Sequence, residues 1–215
     1  MLDARKDRID QSLATGQGFD RPRLYDLMVL LLTRGRDRAY REELLDLVAA
    51  STGDHVLDIG CGTGTLAISA WRRVRPAGSV TGTDISEPML AAARRKARRA
   101  GCHIDFVTAD AAFLPLADAT FDVALITTVM HMVPETARRR VIGEMARVLK
   151  PGGRVLLVDF GGPLAERTGF SASHGRHGAF DLYDLRADMA DAGFGHIEAR
   201  PLGWLDLHFL RAERP

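Results

Sequence analysis

The segment Asp58-Ile59-Gly60-Cys61-Gly62-Thr63-Gly64 is the part of this chain best suited to bring main-chain N–H groups against a ligand. Glycine adopts backbone conformations closed to other residues and leaves no side chain between backbone and ligand. A dinucleotide loop needs G-x-G-x-x-G, which would put glycine at position 65, where Thr65 stands. The spacing here is G-x-G-x-G with an acid two residues before the first glycine, and that pattern argues against a pyrophosphate ligand. Histidine offers a second chemistry. His174 and His177 lie in a Gly-rich stretch, and imidazoles titrating near neutrality suit a base; a plain surface loop carrying them is the other reading. Cys61, between two glycines, reads as loop rather than nucleophile. Cys102 and His103 are adjacent, and neighbours in sequence rarely both reach one ion, so no metal site is expected.

These residues need a frame, and the hydrophobic pattern supplies one. The first fifty residues read as helices, with Leu24, Leu27, Met28, Leu31 and Leu32 on one apolar face and Leu44, Leu45, Leu47 and Val48 on another. Short apolar runs then alternate with helical stretches: strands at 55–60, 79–86, 104–110, 121–129 and 153–160, and helices at 65–73, 88–99, 135–149 and 181–192. Pro151-Gly152 is expected to stop the fourth of the strand-linking segments. Such alternation predicts an α/β fold with a parallel sheet and helices on both faces. Two last strands, near 196–201 and 205–213, have only a turn at Gly203 between them and should form an antiparallel hairpin at the edge. The expected organisation is a helical cap over 1–50 belonging to the same domain as 51–215.

Composition narrows the function classes. With 215 residues, 46% hydrophobic and 27% charged, the chain can bury a sizeable core, which excludes a disordered protein. A formal net charge of +1 provides no field favouring nucleic acid or an anionic membrane. Two cysteines are too few for a disulfide scaffold and fit reduced thiols. The charged beginning MLDARKDRID lacks the apolar core of a secretory signal. A soluble, cytoplasmic protein without stable membrane association is expected, its oligomeric state open. The basic run 94–99 reads as a solvated helix face or, less simply, as a site for an acidic partner.

With these elements in place, VLDIGCGTG resembles the first motif of the class I S-adenosylmethionine (SAM)-dependent methyltransferases, and further motifs follow in the family's order from about Tyr25 to Phe194. The resemblance implies a Rossmann-like fold with a seven-stranded, mostly parallel sheet, and SAM as cofactor. Asp58, Gly60, Cys61, Gly62 and Gly64 would form the loop around its methionine part. Asp84, in TDIS about twenty residues on, would take the ribose hydroxyls, a role suited to a carboxylate that accepts two hydrogen bonds. Ile85 flanks it, and Met89 would cover one adenine face, although a methionine on a helix face equally suits a core. Asp110 would accept from the adenine amino group and Ala111 would offer its N–H. Thr127 closes the cofactor set at the end of the fourth strand. His131 matches a histidine common in small members and either touches ligand or stabilises its loop.

SAM's methyl group is already electrophilic, so alignment and exclusion of water matter most, and a base only if the acceptor must lose a proton. RLYDLM resembles the start of the ubiquinone/menaquinone C-methyltransferase (UbiE-like) group, where an aromatic residue closes over the cofactor; Tyr25 is its counterpart. That group carries a longer, largely helical insertion after the fifth strand, where this chain has a Gly/His segment. Asp159-Phe160 end that strand beside the expected site, and Tyr183 and Trp204 either line an acceptor pocket or, for Trp204, pack the hairpin. The expected activity is methyl transfer to a small-molecule acceptor, with catalytic candidates His131, His174, His177 and Tyr25. The alternatives are a lipid-like acceptor (quinone or phospholipid headgroup) and a SAM-binding module without turnover.

Overall fold

A computed structural model describes residues 22–161, 180–204 and 206–215, and only the backbone at Arg23, Tyr25, Met28 and Leu32. Helices α1 (Pro22–Leu32) and α2 (Asp37–Leu47) precede strand β1 (His55–Ile59). Then come α3 (Thr65–Val74), β2 (Ser79–Asp84), α4 (Glu87–Arg99), β3 (Asp105–Thr108) and β4 (Phe121–Thr127). A 3₁₀ turn at Met130–Met132 leads to α5 (Glu135–Val148) and β5 (Leu149–Phe160). A second 3₁₀ turn, Leu182–Asp184, runs into α6 (Leu185–Asp191), followed by β6 (Gly195–Pro201) and β7 (Leu207–Glu213).

The seven strands form one sheet in the order β3-β2-β1-β4-β5-β7-β6. β1 through β5 are parallel, and β7 is antiparallel to both β5 and β6. The expected fold and terminal antiparallel pair are present, with β7 inserted between β5 and β6. Strand alternation feeds two cores. Leu57, Ile59, Ala124, Ile126, Val155 and Leu157 face α5 and α6, while Val56, Val123, Leu125, Leu156 and Val158 face α2 and α3. Burial on both faces is why these strands read as continuous apolar runs, each fully buried large aliphatic contributing roughly 1.5–3 kcal/mol.

Two boundaries differ from the sequence reading. α5 stops at Val148 and β5 already begins at Leu149, ahead of Pro151-Gly152. The dipeptide lies inside the strand because its chain pairs with the terminus: Gly152 N–H donates to the Arg214 carbonyl at 2.6 Å, and Arg214 N–H to that of Gly153 at 2.8 Å. The helix expected over 181–192 divides into a 3₁₀ turn and the seven-residue α6, since the Asp181 side chain caps Tyr183 N–H at 2.9 Å.

Candidate active site

In parallel sheets, ligands bind beyond the carboxyl ends of the strands where strand order reverses. Here that point lies between β1 and β4. The glycine loop after β1 and the turn after β4 meet there: a Cβ on Gly60 would stand 2.4 Å from Val129 Cγ2, and Gly60 has φ +68. Gly64 is constrained from the other side, with φ +74 and a would-be Cβ 2.8 Å from that of Ala93 on α4. These two glycines thus serve close packing as much as ligand access.

The loop is fastened from three directions. Cys61 N–H donates to the Thr83 carbonyl at 2.8 Å, and Gly62 N–H to Asp84 Oδ2 at 2.8 Å. Asp84 Oδ1 accepts from Ser86 N–H at 2.8 Å, which fixes the β2–α4 turn. Lys96 Nζ donates to Thr63 Oγ1 at 2.9 Å, Thr65 Oγ1 at 2.7 Å and both Asp26 carboxylate oxygens at 3.0 Å. Asp26 also accepts from the Thr63 hydroxyl at 2.6 Å, so α1 is clasped directly onto the loop. Elsewhere in the basic run, Arg94 binds Glu87 and the Phe106 carbonyl, while Arg95, Arg98 and Arg99 are exposed.

Two carboxylates flank this loop. Asp58, 1% exposed, has its Oδ2 buried without a hydrogen-bond partner among the described residues. Burial, then repulsion from Asp84, pushes its pKa up to about 7 against the lowering influence of the Ala67 N–H. A buried, partnerless carboxylate oxygen beside a second carboxylate favours a cation nearby and disfavours a pyrophosphate. The sulfonium and ammonium of SAM meet that requirement, and its ribose suits a carboxylate at Asp84. Burial raises the Cys61 thiol far above its ordinary pKa, an environment that favours the protonated thiol over a thiolate.

The remaining cofactor candidates line the same edge. Asp110 Oδ1 accepts Ala112 N–H at 2.9 Å, and Ala109 N–H donates to the Asp84 carbonyl at 3.0 Å, bringing the turn after β3 beside that after β2. Ile85 and Ala111 are half-buried, as is Thr127 at the end of β4. Met89 is 4% exposed, the burial of a core residue.

At the carboxyl end of β4 and β5, Asp159 Oδ1 lies 2.7 Å from His131 Nδ1, and its Oδ2 accepts the His131 backbone N–H at 3.2 Å. Phe160 N–H donates to Oδ1 at 2.8 Å. The pair is secluded, with side chains 8% and 1% exposed. With the carboxylate accepting, Nδ1 carries the hydrogen and Nε2 is the atom able to take a proton. The turn that presents His131 starts at Thr128, whose φ of +54 is strained for a β-branched residue. Sequence reasoning gave Thr128 and the clasp residues Asp26 and Lys96 no part in the site. It placed Asp159 beside the site without giving it a partner, though an acid ending a buried apolar strand was the available signal.

Other expectations resolve differently. Trp204 donates its indole N–H to Glu43 at 2.6 Å and meets Tyr40 edge-on, so it pins the hairpin to α2. Tyr183 lies 2.6 Å from His208 Nδ1. Cys102 packs with Ile68 and Ala97, while the His103 ring meets Trp71. His174, His177 and the Tyr25 side chain lie outside the described residues.

A methyltransferase-domain family model matches residues 56–153. A demethylmenaquinone methyltransferase from Thermus thermophilus is 38% identical over 139 residues, 65% of this chain and 62% of that relative. The chain therefore spans less than two thirds of that relative's length. Among solved structures, a SAM-dependent methyltransferase from Aquifex aeolicus superposes with TM-score 0.70 at 21% identity, covering 81% of this chain and 89% of that one. A phosphoethanolamine N-methyltransferase from Haemonchus contortus, solved with phosphomonomethylethanolamine and S-adenosylhomocysteine (SAH), gives TM-score 0.68 at 21% identity, covering 84% of this chain and 53% of that one. The matched segment holds the glycine loop, Asp84, Asp110 and His131, and over it the chain is similar to SAM-dependent methyltransferases in sequence and in fold.

Proposed function

We propose that the protein transfers a methyl group from SAM to a small-molecule acceptor and releases SAH. The observation that carries this reading is the glycine loop held between Asp84 and the buried Asp58, whose Oδ2 has no hydrogen-bond partner among the described residues, a combination that suits a cationic ligand with ribose hydroxyls. In this reading Gly60, Cys61, Gly62 and Gly64 surround the methionine part and Asp84 binds the ribose. Ile85, Met89, Asp110, Ala111 and Thr127 enclose the adenine and its surroundings. Bound SAM supplies an electrophilic methyl group; the chain contributes orientation and seclusion. His131, oriented by Asp159, removes a proton from the acceptor at Nε2. The test is SAM turnover across acceptors bearing O–H, N–H, S–H and acidic C–H groups, with SAH formation read by mass spectrometry. Formation of SAH with one class supports the reading. Tight SAM binding with no turnover across the panel favours a binding module instead.

A lipid-like acceptor is a second reading, favoured by one surface feature. Leu24, Leu27, Leu30 and Leu31 on α1 are 45–67% exposed, an unusual density of apolar surface on a helix clasped to the cofactor loop. The demethylmenaquinone relative points the same way. Among the described residues no helix is long and apolar enough to cross a membrane, so contact would be with the bilayer surface. Co-sedimentation with liposomes tests this, and protein left wholly in the supernatant contradicts it.

A further inference from the structure

The carboxyl edge of β5 carries more ionisable side chains than His131 and Asp159. His208 on β7 is the register partner of Asp159 on β5. Directly opposed residues of antiparallel strands project from the same face, so His208 leaves the sheet beside Asp159, on the face of Leu157 and Leu210. Its Nδ1 lies 2.6 Å from the Tyr183 phenol oxygen, with the rings edge-to-face at 5.1 Å. Tyr183 is positioned by the capped turn that begins at Asp181. Arg186 places its guanidinium 4.8 Å from the Tyr183 ring centroid, adding positive charge on that side. The chain leaving β5 is kept close: a Cβ on Gly161 would stand 3.1 Å from that of His208 and 3.2 Å from that of Leu182. Tyr183 and His208 are each only partly buried.

We propose that the Tyr183–His208 pair is the acceptor-holding end of the site, and that it selects acceptors whose oxygen is ionised on giving up its proton, before the methyl group is transferred. The inference rests on the methyl-transfer reading above. His208 Nδ1–H donates to the Tyr183 oxygen, which frees the phenol hydrogen to donate to an acceptor hydroxyl or enol oxygen. The acceptor's proton goes to His131, on the other side of Asp159. The nucleophilic atom forms its bond to the methyl carbon, and the electron pair of the broken S–C bond stays on sulfur. Arg186 favours the ionised oxygen, and the nearby carboxylates are already engaged, Asp159 by three N–H groups and Asp181 by the Tyr183 N–H, which makes them poor partners for a cationic amine.

The test uses the SAH-loaded protein and 4-nitrocatechol, whose absorbance reports binding and ionisation together. The proposal expects the probe to bind in its ionised form. Tyr183→Phe, which removes one oxygen atom, and His208→Gln should each weaken it at least tenfold, the double variant little further, while SAH affinity stays within twofold. Thermal melting establishes that each variant is folded. Unchanged probe affinity in a folded Tyr183→Phe protein overturns the proposal, as does native protein that binds phosphoethanolamine and ignores the nitrocatechol, or that binds neither. Failure to bind SAH at all is a separate result, and it strikes the methyl-transfer reading.

Discussion

Asp159 holds His131 at two points, accepting from the ring Nδ1 at 2.7 Å and from the backbone N–H at 3.2 Å. A carboxylate can accept both hydrogens, whereas an amide would have to turn its NH₂ toward one of the two donors. The pair therefore fixes ring, tautomer and turn together. Replacing His131 by Gln should lower kcat about 100-fold and Asp159 by Asn nearly as much, both with SAH affinity within threefold. Stopped or steady-state turnover alongside SAH titration separates the effects. Loss of SAH binding in step with kcat would give the pair a cofactor-loop role instead.

Asp58 makes stability depend on pH in an unusual direction. Its folded pKa is raised to about 7, so the native state holds a proton that the unfolded chain releases near pH 4. The stabilisation is complete below the unfolded value and fades as pH rises through 7, a span on the order of 4 kcal/mol. Denaturant unfolding between pH 5 and 8 should show stability falling, and Asp58→Asn should flatten the slope. SAM, which carries the sulfonium charge, should also gain affinity relative to SAH over the same interval. An equal slope in the variant removes Asp58 as its source.

Lys96 and Asp26 join α1 to the loop through partly exposed groups, with side chains 32% and 43% exposed. Solvent screening limits such a pair to about 0.2–1 kcal/mol. Lys96→Met and Asp26→Asn should each weaken SAH binding about two- to fivefold, and the double variant should cost less than the product of the two. Strict additivity would mean that α1 and the loop act independently.

Gly64 tolerates no side chain. An added methyl would stand 2.8 Å from Ala93 Cβ at a backbone φ of +74. Gly64→Ala should lose at least about 2 kcal/mol of stability by combined strain and overpacking, read by chemical denaturation. A variant as stable as the native protein would mean that α3 and α4 separate more easily than their packing indicates.

Much of this frame is local in the sequence. The glycine spacing, the alternation of apolar runs and helical faces, and the Gly203 turn each act within a few residues, and each corresponds to an element near its expected place. What escaped reading is non-local. His131 and Asp159 are 28 residues apart, and Asp26 and Lys96 are 70 apart. Their meeting depends on sheet order and on where α1 docks. β5 starts early because of a partner at Arg214, at the far end of the chain. Nothing in the residue type of Thr128 announces its positive φ, since β-branched residues avoid that region.

The Gly62 N–H to Asp84 contact makes Asp84 both a brace for the loop and the proposed ribose ligand. Calorimetric titration of SAH into native protein and into Asp84→Ala, with melting curves to confirm folding, tests the cofactor assignment most directly. The account predicts saturable binding to the native protein and at least about tenfold weaker binding to the folded variant, the loss expected for charge-assisted hydrogen bonds. Equal affinity in both, or no binding to native protein at millimolar SAH, would contradict it.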